Sequence, residues 1–310
     1  MGCQFKQAII ASMSKDFPEV VRIEPASQCN LACSHCPTGT VTLNRGLMSE
    51  DIFQKIVLEL AENQSSIRVV VLYHGGEPLL NKRFFEWASK VRQILPDSRI
   101  KTVTNGVTLT ERNARSLLSC GLDEVEISID GLSEEENELV RRKVNSKSLM
   151  ANVRRLIGLR DQLKNHLKIV ISSTQFFDDS HETMSVPTWI TNQLPRSVDK
   201  YKVHLAMVWP HMEVQDGFSV FQQSGPDSDH CDHINSTVSI RANGDFVPCC
   251  YDLTSQHVLG NIAETSIREL WTGNALRQLR TSIKEKNYSK LCSNCNVVRP
   301  HRYLIPTWRN

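Results

Sequence analysis

Residues 19–36 read EVVRIEPASQCNLACSHC, a β-branched run that leads directly into three closely spaced cysteines. The run EVVRIE is typical of a β-strand. Cys29, Cys33 and Cys36 follow it with C-x3-C-x2-C spacing, which lets three thiolates converge on one metal centre. Loops that follow strands form the functional end of α/β sheets and barrels. The stretch therefore predicts a strand that presents a three-thiolate site at its carboxyl end.

Strand-like and helix-like segments alternate from this stretch to about residue 208. The strand-like runs lie at 19–24, 67–73, 99–103, 124–129, 167–174 and 202–208. Helix-length stretches with apolar residues at three- and four-residue spacing separate them. Six strands that alternate with helices predict a parallel α/β sheet with right-handed crossovers. The periodicity alone fits both an open doubly wound sheet and an incomplete (β/α) barrel.

The character of the chain changes after residue 210. Residues 210–230 are rich in Gly, Ser, Asp and Gln and indicate a linker or lid. Asn243-Gly244 lies between two strand-like runs and predicts a β-hairpin, and one helix is expected over 265–286. The expected units are an N-terminal extension at 1–18, a barrel or sheet at 19–210, a linker or lid at 211–230, and a small C-terminal domain (β-hairpin plus helix) at 231–310.

Composition and charge exclude several classes of protein. The 36 Lys and Arg nearly balance the 34 Asp and Glu, so charge predicts neither nucleic-acid nor membrane-surface binding. No stretch approaches the ~20 apolar residues of a membrane span, and the N-terminus is too weakly apolar for a secretory signal. We therefore expect a cytoplasmic protein whose 10 cysteines are reduced and available for metal binding or chemistry.

The order of the motifs resembles that of the radical S-adenosylmethionine (SAM) superfamily. The resemblance covers about residues 19–210 and rests on motifs at the ends of four consecutive strands. These motifs are the cysteine loop 29–36, Gly75-Gly76-Glu77-Pro78, Thr104-Asn105-Gly106, and Ser128 with Asp130. The resemblance implies a partial (β/α)6 TIM-like barrel. It also implies an enzyme that cleaves SAM reductively to a 5'-deoxyadenosyl radical, which abstracts hydrogen from a substrate.

The resemblance also implies a role for each motif. Cys29, Cys33 and Cys36 are the expected ligands of a [4Fe–4S] cluster whose open iron binds SAM. A structural zinc site would need a fourth protein ligand, and none is obvious nearby. The expected SAM contacts are Gly75, Gly76 and Glu77 for the amino group, Thr104 and Asn105 near the cofactor, Ser128 and Asp130 for the ribose or carboxylate, and His35 along the adenine.

A second group of cysteines lies near the C-terminus. Its spacing alone fits a four-cysteine zinc knuckle or a four-cysteine [4Fe–4S] site. The segment NGDFVPCCYD, the later LGN and IRELW, and the closing C-x2-C resemble the twitch domain, a shortened SPASM domain that carries one auxiliary cluster. The resemblance implies two [4Fe–4S] clusters in total. The implied auxiliary ligands are Cys231, Cys249, Cys292 and Cys295, with Cys250 either spare or a ligand in place of Cys249.

The resemblance leaves several functions open. Four thiolates leave no open iron, so the auxiliary cluster is expected to carry electrons and the reaction to oxidise a sugar or aminocyclitol. Cys250 could instead donate a hydrogen atom to a substrate radical, which gives epimerisation. A peptide maturase is an alternative, although the roughly 18 residues before the first strand are too few for a winged-helix peptide-binding domain. A non-catalytic iron–sulfur or zinc protein is a third, against which the intact SAM motifs argue.

The remaining expectations concern partners and the proton acceptor. The resemblance implies a flavodoxin- or ferredoxin-type reductant and a small-molecule or peptide substrate. If the reaction is an oxidation, a side chain must accept a proton. The candidates are His204, His211, Arg141 and Arg142.

Overall fold

The computed structural model describes residues 16–176 and 184–309, so most of the expected N-terminal extension at 1–18 lies outside the described residues. All six predicted strands are present, and each pairs in parallel with the next. They are β1 (Val20–Ile23), β2 (Val69–Val71), β3 (Arg99–Thr104), β4 (Glu124–Ser128), β5 (Lys168–Gln175) and β6 (Lys200–Leu205). The prediction of a parallel α/β sheet is confirmed.

Helices connect these strands and continue into the C-terminal half. They are α1 (Pro37–Thr40), α2 (Glu50–Glu62), α3 (Phe84–Ile94), α4 (Glu111–Ser119), α5 (Glu134–Val140), α6 (Ser146–Gln162), α7 (Thr188–Thr191), α8 (Asp232–Ser236), α9 (Ile267–Thr272) and α10 (Asn274–Lys284). Ser49 caps α2 by accepting a hydrogen bond from the Ile52 amide at 3.3 Å. Phe53 of α2 stacks on Trp87 of α3 with ring centroids 4.2 Å apart, which ties the two helices together in the core.

The sheet is open and is extended by the C-terminal hairpin. The hairpin predicted around Asn243-Gly244 consists of β8 (Thr237–Ile240) and β9 (Asp245–Val247), with β10 (Gly260–Asn261) beside it. Strand β8 pairs in parallel with β1, so the sheet runs from β10 at one end to β6 at the other. The expected partial barrel with a small C-terminal domain is confirmed, and that domain shares the barrel's sheet.

Two details of the C-terminal half differ from the sequence predictions. The predicted linker contains β7 (Phe218–Gln222), which pairs with β11 (Arg302–Pro306) as a separate antiparallel sheet. The single helix expected over 265–286 is divided into α9 and α10 at Gly273, whose backbone is extended. A Cβ at Gly273 would lie 2.9 Å from the Glu269 carbonyl oxygen, so a side chain here would crowd the last turn of α9.

The concave face of the sheet carries polar side chains. Glu126 of β4 and Lys202 of β6 form an ion pair across β5. Ile127 and Ile171, which point to the opposite face, are fully buried. Because successive side chains alternate between the faces, Ser128 lies on the same concave face as Glu126. Polar side chains therefore line the inside of the barrel toward the carboxyl ends of these strands.

The small β7–β11 sheet packs over one end of the barrel. Trp308 lies against Phe218 at 4.9 Å and Phe176 at 6.3 Å between ring centroids. Leu304 of β11 is fully buried with Phe176 and Val208 in a second, smaller apolar cluster. This packing covers Phe176, the residue that follows β5. Across the described ranges, no helix has the length and hydropathy of a membrane span.

Candidate active site and auxiliary cysteine cluster

The carboxyl ends of the first strands bring the predicted SAM motifs together around the cysteine loop. Asn105, directly after β3, donates from Nδ2 to Asn30 Oδ1 at 2.7 Å and lies 3.7 Å from Cys29 Sγ. The Ser34 amide donates to the Val140 carbonyl oxygen at 2.9 Å, which fastens the loop to the end of α5. The loop is thus held from two sides by the barrel rim.

Glu77 joins the ends of β2 and β3. Its carboxylate accepts hydrogen bonds from Thr104 Oγ1 at 2.7 Å, from the Asn105 amide at 2.7 Å and from the Leu79 amide at 3.2 Å. Burial raises the pKa of Glu77, although these donors oppose the shift. The carboxylate therefore braces the two motif loops, and most of its acceptor capacity is already used within the protein.

Gly76 allows the backbone after β2 to lie against the cysteine loop. A Cβ at this position would sit 2.2 Å from the Ala26 carbonyl oxygen and 2.5 Å from that of Gln28. The following Glu77 amide donates to the Gln28 carbonyl oxygen at 2.8 Å, so the approach is held by a hydrogen bond. Glycine is needed here because of close backbone contact.

Asp130 is the centre of a buried polar group beyond β4. His35 Nε2 lies 3.3 Å from Asp130 Oδ2, Arg141 Nε lies 3.7 Å from the same oxygen, and the Thr174 amide donates to Oδ1 at 2.8 Å. Burial alone would raise the pKa of Asp130, but Arg141 and His35 lower it to about 2. The carboxylate stays ionised and orients the His35 ring, which meets Phe176 edge-on at 5.5 Å.

Arg141 is a fully desolvated cation beside the cysteine loop. Its guanidinium donates to the Ser128 carbonyl oxygen, and its Nε has no hydrogen-bond partner within the described chain. Burial alone would lower the pKa of Arg141, but Asp130 and Cys33 raise it. A guanidinium with a raised pKa is unsuited to accept a proton and suits an anion. Arg142 and His204 are exposed, and His211 lines a different pocket.

The three cysteines of the loop fit an iron–sulfur cluster. Cys29, Cys33 and Cys36 are free thiols and partly accessible. Burial raises the pKa of Cys33 to about 12, and repulsion from Cys36 and Cys29 adds to the shift. Bound iron would counter both the burial and the repulsion, because its positive charge stabilises the sulfurs as thiolates. The desolvated Arg141 beside them adds a site for a carboxylate.

The four predicted auxiliary cysteines are buried together. Each is a free thiol and 6–7% exposed: Cys231, Cys249, Cys292 and Cys295. Burial raises the pKa of Cys295 to about 12, with further repulsion from Cys292 and Cys231. Among the residues described, no three His, Cys, Asp or Glu side chains are arranged to hold one metal ion. The thiols share one desolvated region that suits a metal-bound thiolate more than a free one.

Cys250 differs from its neighbour Cys249. Cys249 is among the buried core residues, whereas Cys250 is less buried and its sulfur lies 3.8 Å from His233 Nδ1. The adjacent Tyr251 ring contacts the His233 ring at 5.3 Å and the Trp209 ring at 5.4 Å between centroids. The Cys250 thiol thus has its own polar environment next to the buried set.

Sequence reasoning missed a buried junction between the two domains. Glu24, at the end of β1, is fully buried and accepts from Arg241 Nε at 2.8 Å, from the Gly75 amide at 2.9 Å and from the Ala242 amide at 3.0 Å. Burial alone would raise the pKa of Glu24, but Arg241 and His74 lower it. The sequence signal for this junction was a charged residue, Glu24, at the end of a mostly apolar strand.

The same junction reaches the loop that carries the auxiliary cysteines. His74 Nε2 lies 3.1 Å from the Asp252 carbonyl oxygen, and Arg241 lies 3.4 Å from it. The Asp252 carboxylate accepts from the amides of Gln256 and His257, which closes the loop after Cys250. One network therefore connects the Gly75 segment to the auxiliary loop.

Sequence comparisons agree with this division into two sites. The model of the Radical SAM superfamily matches residues 23–171, and the SPASM model, an iron–sulfur cluster-binding domain, matches residues 231–296. The chain is 22% identical over 282 residues to the S-adenosyl-L-methionine-dependent 2-deoxy-scyllo-inosamine dehydrogenase of Niallia circulans, which covers 90% of this chain and 93% of that protein.

Structural comparisons show the same overall fold. The crystal structure of BtrN in complex with AdoMet and 2-DOIA is similar with a TM-score of 0.60 and 20% identity, over 90% of this chain and 92% of that one. SuiB of Streptococcus suis bound to S-adenosylmethionine is similar with a TM-score of 0.60 and 15% identity, over 95% of this chain and 77% of that one. The barrel with its C-terminal extension is thus a shared architecture.

Proposed function

The chain carries a radical SAM domain followed by a SPASM iron–sulfur domain, and on that premise we propose that it oxidises a polar small molecule of the sugar or aminocyclitol class. The observation that carries the proposal is the convergence of three motif loops on the Cys29–Cys36 loop, beside a desolvated guanidinium. When bound, SAM and its cluster supply a 5'-deoxyadenosyl radical that removes a hydrogen atom from the substrate, and the auxiliary cluster supplies an electron acceptor.

The residues around the cysteine loop have separate tasks in this proposal. Cys29, Cys33 and Cys36 hold the first cluster. Arg141 binds the SAM carboxylate, because its charge is desolvated and its Nε lacks a hydrogen-bond partner within the described chain. Ser128, which is half-buried on the concave face, contacts the cofactor from β4.

The remaining motif residues orient the cofactor. The backbone of Gly75 and Gly76 approaches the cysteine loop closely enough to contact the SAM amino group. Glu77, with Thr104 and Asn105, keeps these segments in place through the hydrogen bonds of its carboxylate. The nearby His35 ring, held by Asp130, lies along the adenine.

The C-terminal domain supplies the second redox site in this proposal. Cys231, Cys249, Cys292 and Cys295 hold the auxiliary cluster, and the burial of all four thiols supports this assignment. A cluster held by these four thiolates would leave no open iron for substrate and would supply an electron acceptor for the oxidation. Loss of an electron and a proton by the substrate radical converts the alcohol into a ketone.

Epimerisation is the second candidate, and the environment of Cys250 favours it. Cys250 is less buried than the four expected ligands, and its sulfur lies 3.8 Å from Nδ1 of His233. A thiol hydrogen is more weakly bound than the hydrogen of a sugar carbon, so Cys250 could give its hydrogen atom to a substrate radical. Delivery from the opposite face inverts that carbon. The thiyl radical left at Cys250 would then be returned to the thiol by one electron from the auxiliary cluster and one proton from solvent.

One experiment separates these reactions. Reconstituted protein is incubated anaerobically with SAM, dithionite and 2-deoxy-scyllo-inosamine in D2O, and 5'-deoxyadenosine and the substrate-derived product are identified by mass spectrometry. Oxidation gives a ketone without deuterium at the reacting carbon, and Cys250→Ala leaves that product in place. Epimerisation gives an inverted carbon that carries deuterium, and Cys250→Ala removes it.

Two controls decide what a negative result means. Formation of 5'-deoxyadenosine without product indicates active SAM cleavage and a different substrate, for which other sugars and a precursor peptide are the next tests. Flavodoxin or ferredoxin in place of dithionite tests the expected reductant. No 5'-deoxyadenosine from protein with intact clusters would overturn the proposed function itself.

A further inference from the structure

A separate pocket lies between the chain that follows β6 and the auxiliary cysteine loop. Its volume is about 460 Å³, within the range of about 300–1,000 Å³ usual for small-molecule sites. Ser293 and Asn294, which lie between Cys292 and Cys295, form one wall. Trp209 and His211 lie on the side that follows the barrel. The pocket therefore adjoins the auxiliary site and lies outside the SAM site.

The polar groups that line this pocket are mainly hydrogen-bond donors. The side chains of Gln222, Asn294, Arg299 and Arg302 all carry N–H groups. Within the described part of the chain, the lining contains no Asp or Glu. A pocket with this donor set binds an anion better than a cation or an uncharged polyol.

The charge of the pocket is not neutralised by the protein. Arg299 pairs with Asp227 at 2.7 Å and contributes little net charge. The Arg302 side chain forms no ion pair or side-chain hydrogen bond with any residue of 16–176 or 184–309. Its backbone is fixed by Asn296 and by β11, so the side chain extends from a rigid strand. One positive charge therefore remains available to a ligand.

His211 is an independent sign of a ligand at the same place. Its Nε2 atom is buried and has no hydrogen-bond partner in the described structure. Its backbone has a φ of 61°, a left-handed conformation that is uncommon for residues other than Gly, although His adopts it more often than most. Strain and an unpaired buried nitrogen together cost stability and are typical of binding sites. A ligand oxygen at Nε2 satisfies the nitrogen.

We propose that this pocket binds an oxyanion, a phosphate or carboxylate, of the substrate, through Arg302 and His211 beside the auxiliary cluster. This inference deepens the proposed function and rests on it. The pocket wall formed by Trp209 packs on Tyr251, the residue after Cys250, at 5.4 Å between ring centroids. An oxyanion held here places the rest of the ligand next to the cluster domain. Within the sugar or aminocyclitol class of the proposed function, the pocket favours a substrate that carries a phosphate or a carboxylate.

Binding is measured by isothermal titration of reconstituted protein with inorganic pyrophosphate, citrate and glucose 1-phosphate, each with SAM present. We expect saturable binding of at least one probe, and Arg302→Gln weakens it about tenfold or more, the loss expected for one charge-assisted hydrogen bond. Arg302→Lys retains part of the affinity. Arg277→Gln, which removes an equal charge from the exposed face of α10, leaves the affinity unchanged.

Comparison of the three probes identifies which kind of anion the pocket prefers. Tighter binding of glucose 1-phosphate than of pyrophosphate indicates a sugar phosphate, and preference for citrate indicates a carboxylate. No saturable binding of any probe, or equal affinity in wild type and Arg302→Gln with unchanged iron content, overturns the inference. SAM cleavage to 5'-deoxyadenosine is measured on the same samples, so a failed anion site and a failed radical SAM activity are distinguished.

Discussion

The buried ion pair between Glu24 and Arg241 links the C-terminal hairpin to the SAM segment, and its removal gives a quantitative prediction. Arg241→Leu leaves the Glu24 carboxylate fully buried with only the Gly75 and Ala242 amides as donors. Breaking a buried pair in this way costs about 3–5 kcal/mol, because an uncompensated charge remains. We expect the free energy of unfolding to fall by that amount.

The assay is urea unfolding of anaerobically reconstituted protein, followed by tryptophan fluorescence. Arg115→Leu is the matched control, because Arg115 pairs with Glu111 at 2.8 Å on an exposed helix surface. Such exposed pairs are worth about 0.3–0.5 kcal/mol, so the control is nearly unaffected. The double variant Glu24→Met with Arg241→Leu recovers most of the loss, since apolar replacement of a buried pair is often neutral.

Two results would refute this reasoning. The first is an Arg241→Leu variant that loses no more stability than Arg115→Leu. The second is a double variant whose loss of unfolding free energy equals the sum of the losses in Glu24→Met and Arg241→Leu alone. Stability changes add for independent sites and do not add for coupled sites. Either result would mean that the junction does not join the domains energetically.

Two further predictions concern the same segment of the chain. Burial lowers the pKa of His74 from 6.5 to about 4, so its contribution to folding is complete above pH 6.5 and is lost as the pH falls toward 4. Urea titrations should show wild type losing about 3 kcal/mol more than His74→Gln over that interval, and parallel pH profiles would contradict the assignment. Gly76→Ala forces a Cβ to within 2.2 Å of the Ala26 carbonyl oxygen, so we expect loss of the iron held by the cysteine loop. Gly158→Ala, where the Cβ meets open space, should keep its iron, and equal iron in both variants would show that the close approach is unimportant.

Local sequence patterns predicted the parts of the fold that local forces determine. The six strands follow from β-branched runs separated by amphipathic helices, and the hairpin follows from Asn243-Gly244. The position of the cysteine loop and the three motif loops at strand ends then follows from the parallel sheet. The structure brings these residues to one rim, as the sequence predicts.

Long-range pairings were not accessible to the same reasoning. Glu24 and Arg241 are 217 positions apart, and nothing in either local pattern identifies the partner. The FSVFQ run of β7 pairs with a strand about 80 positions later, so its polar surroundings suggested a linker. The break at Gly273 lies in the extended backbone of one glycine, and the apolar periodicity of the segment does not show it.

The charge state of the site also required the fold. Arg141 was one of four candidates for proton acceptor, because its sequence position did not reveal its burial. The structure places it between Asp130 and the cysteine loop, where its pKa is raised. His211 was another candidate, and the structure places it in the separate pocket. Register and tertiary packing, rather than residue type, determine where both side chains lie.

The most direct test of the central claim is the iron and sulfide content, with EPR spectra, of anaerobically reconstituted wild type and of a variant with Cys29, Cys33 and Cys36 changed to Ala. Two [4Fe–4S] clusters predict about eight irons in wild type and about four in the triple variant, with one EPR signal retained. About four irons in wild type, together with zinc that is lost when Cys292 and Cys295 are replaced, would contradict the account. The C-terminal site would then be structural and could not accept an electron from the substrate.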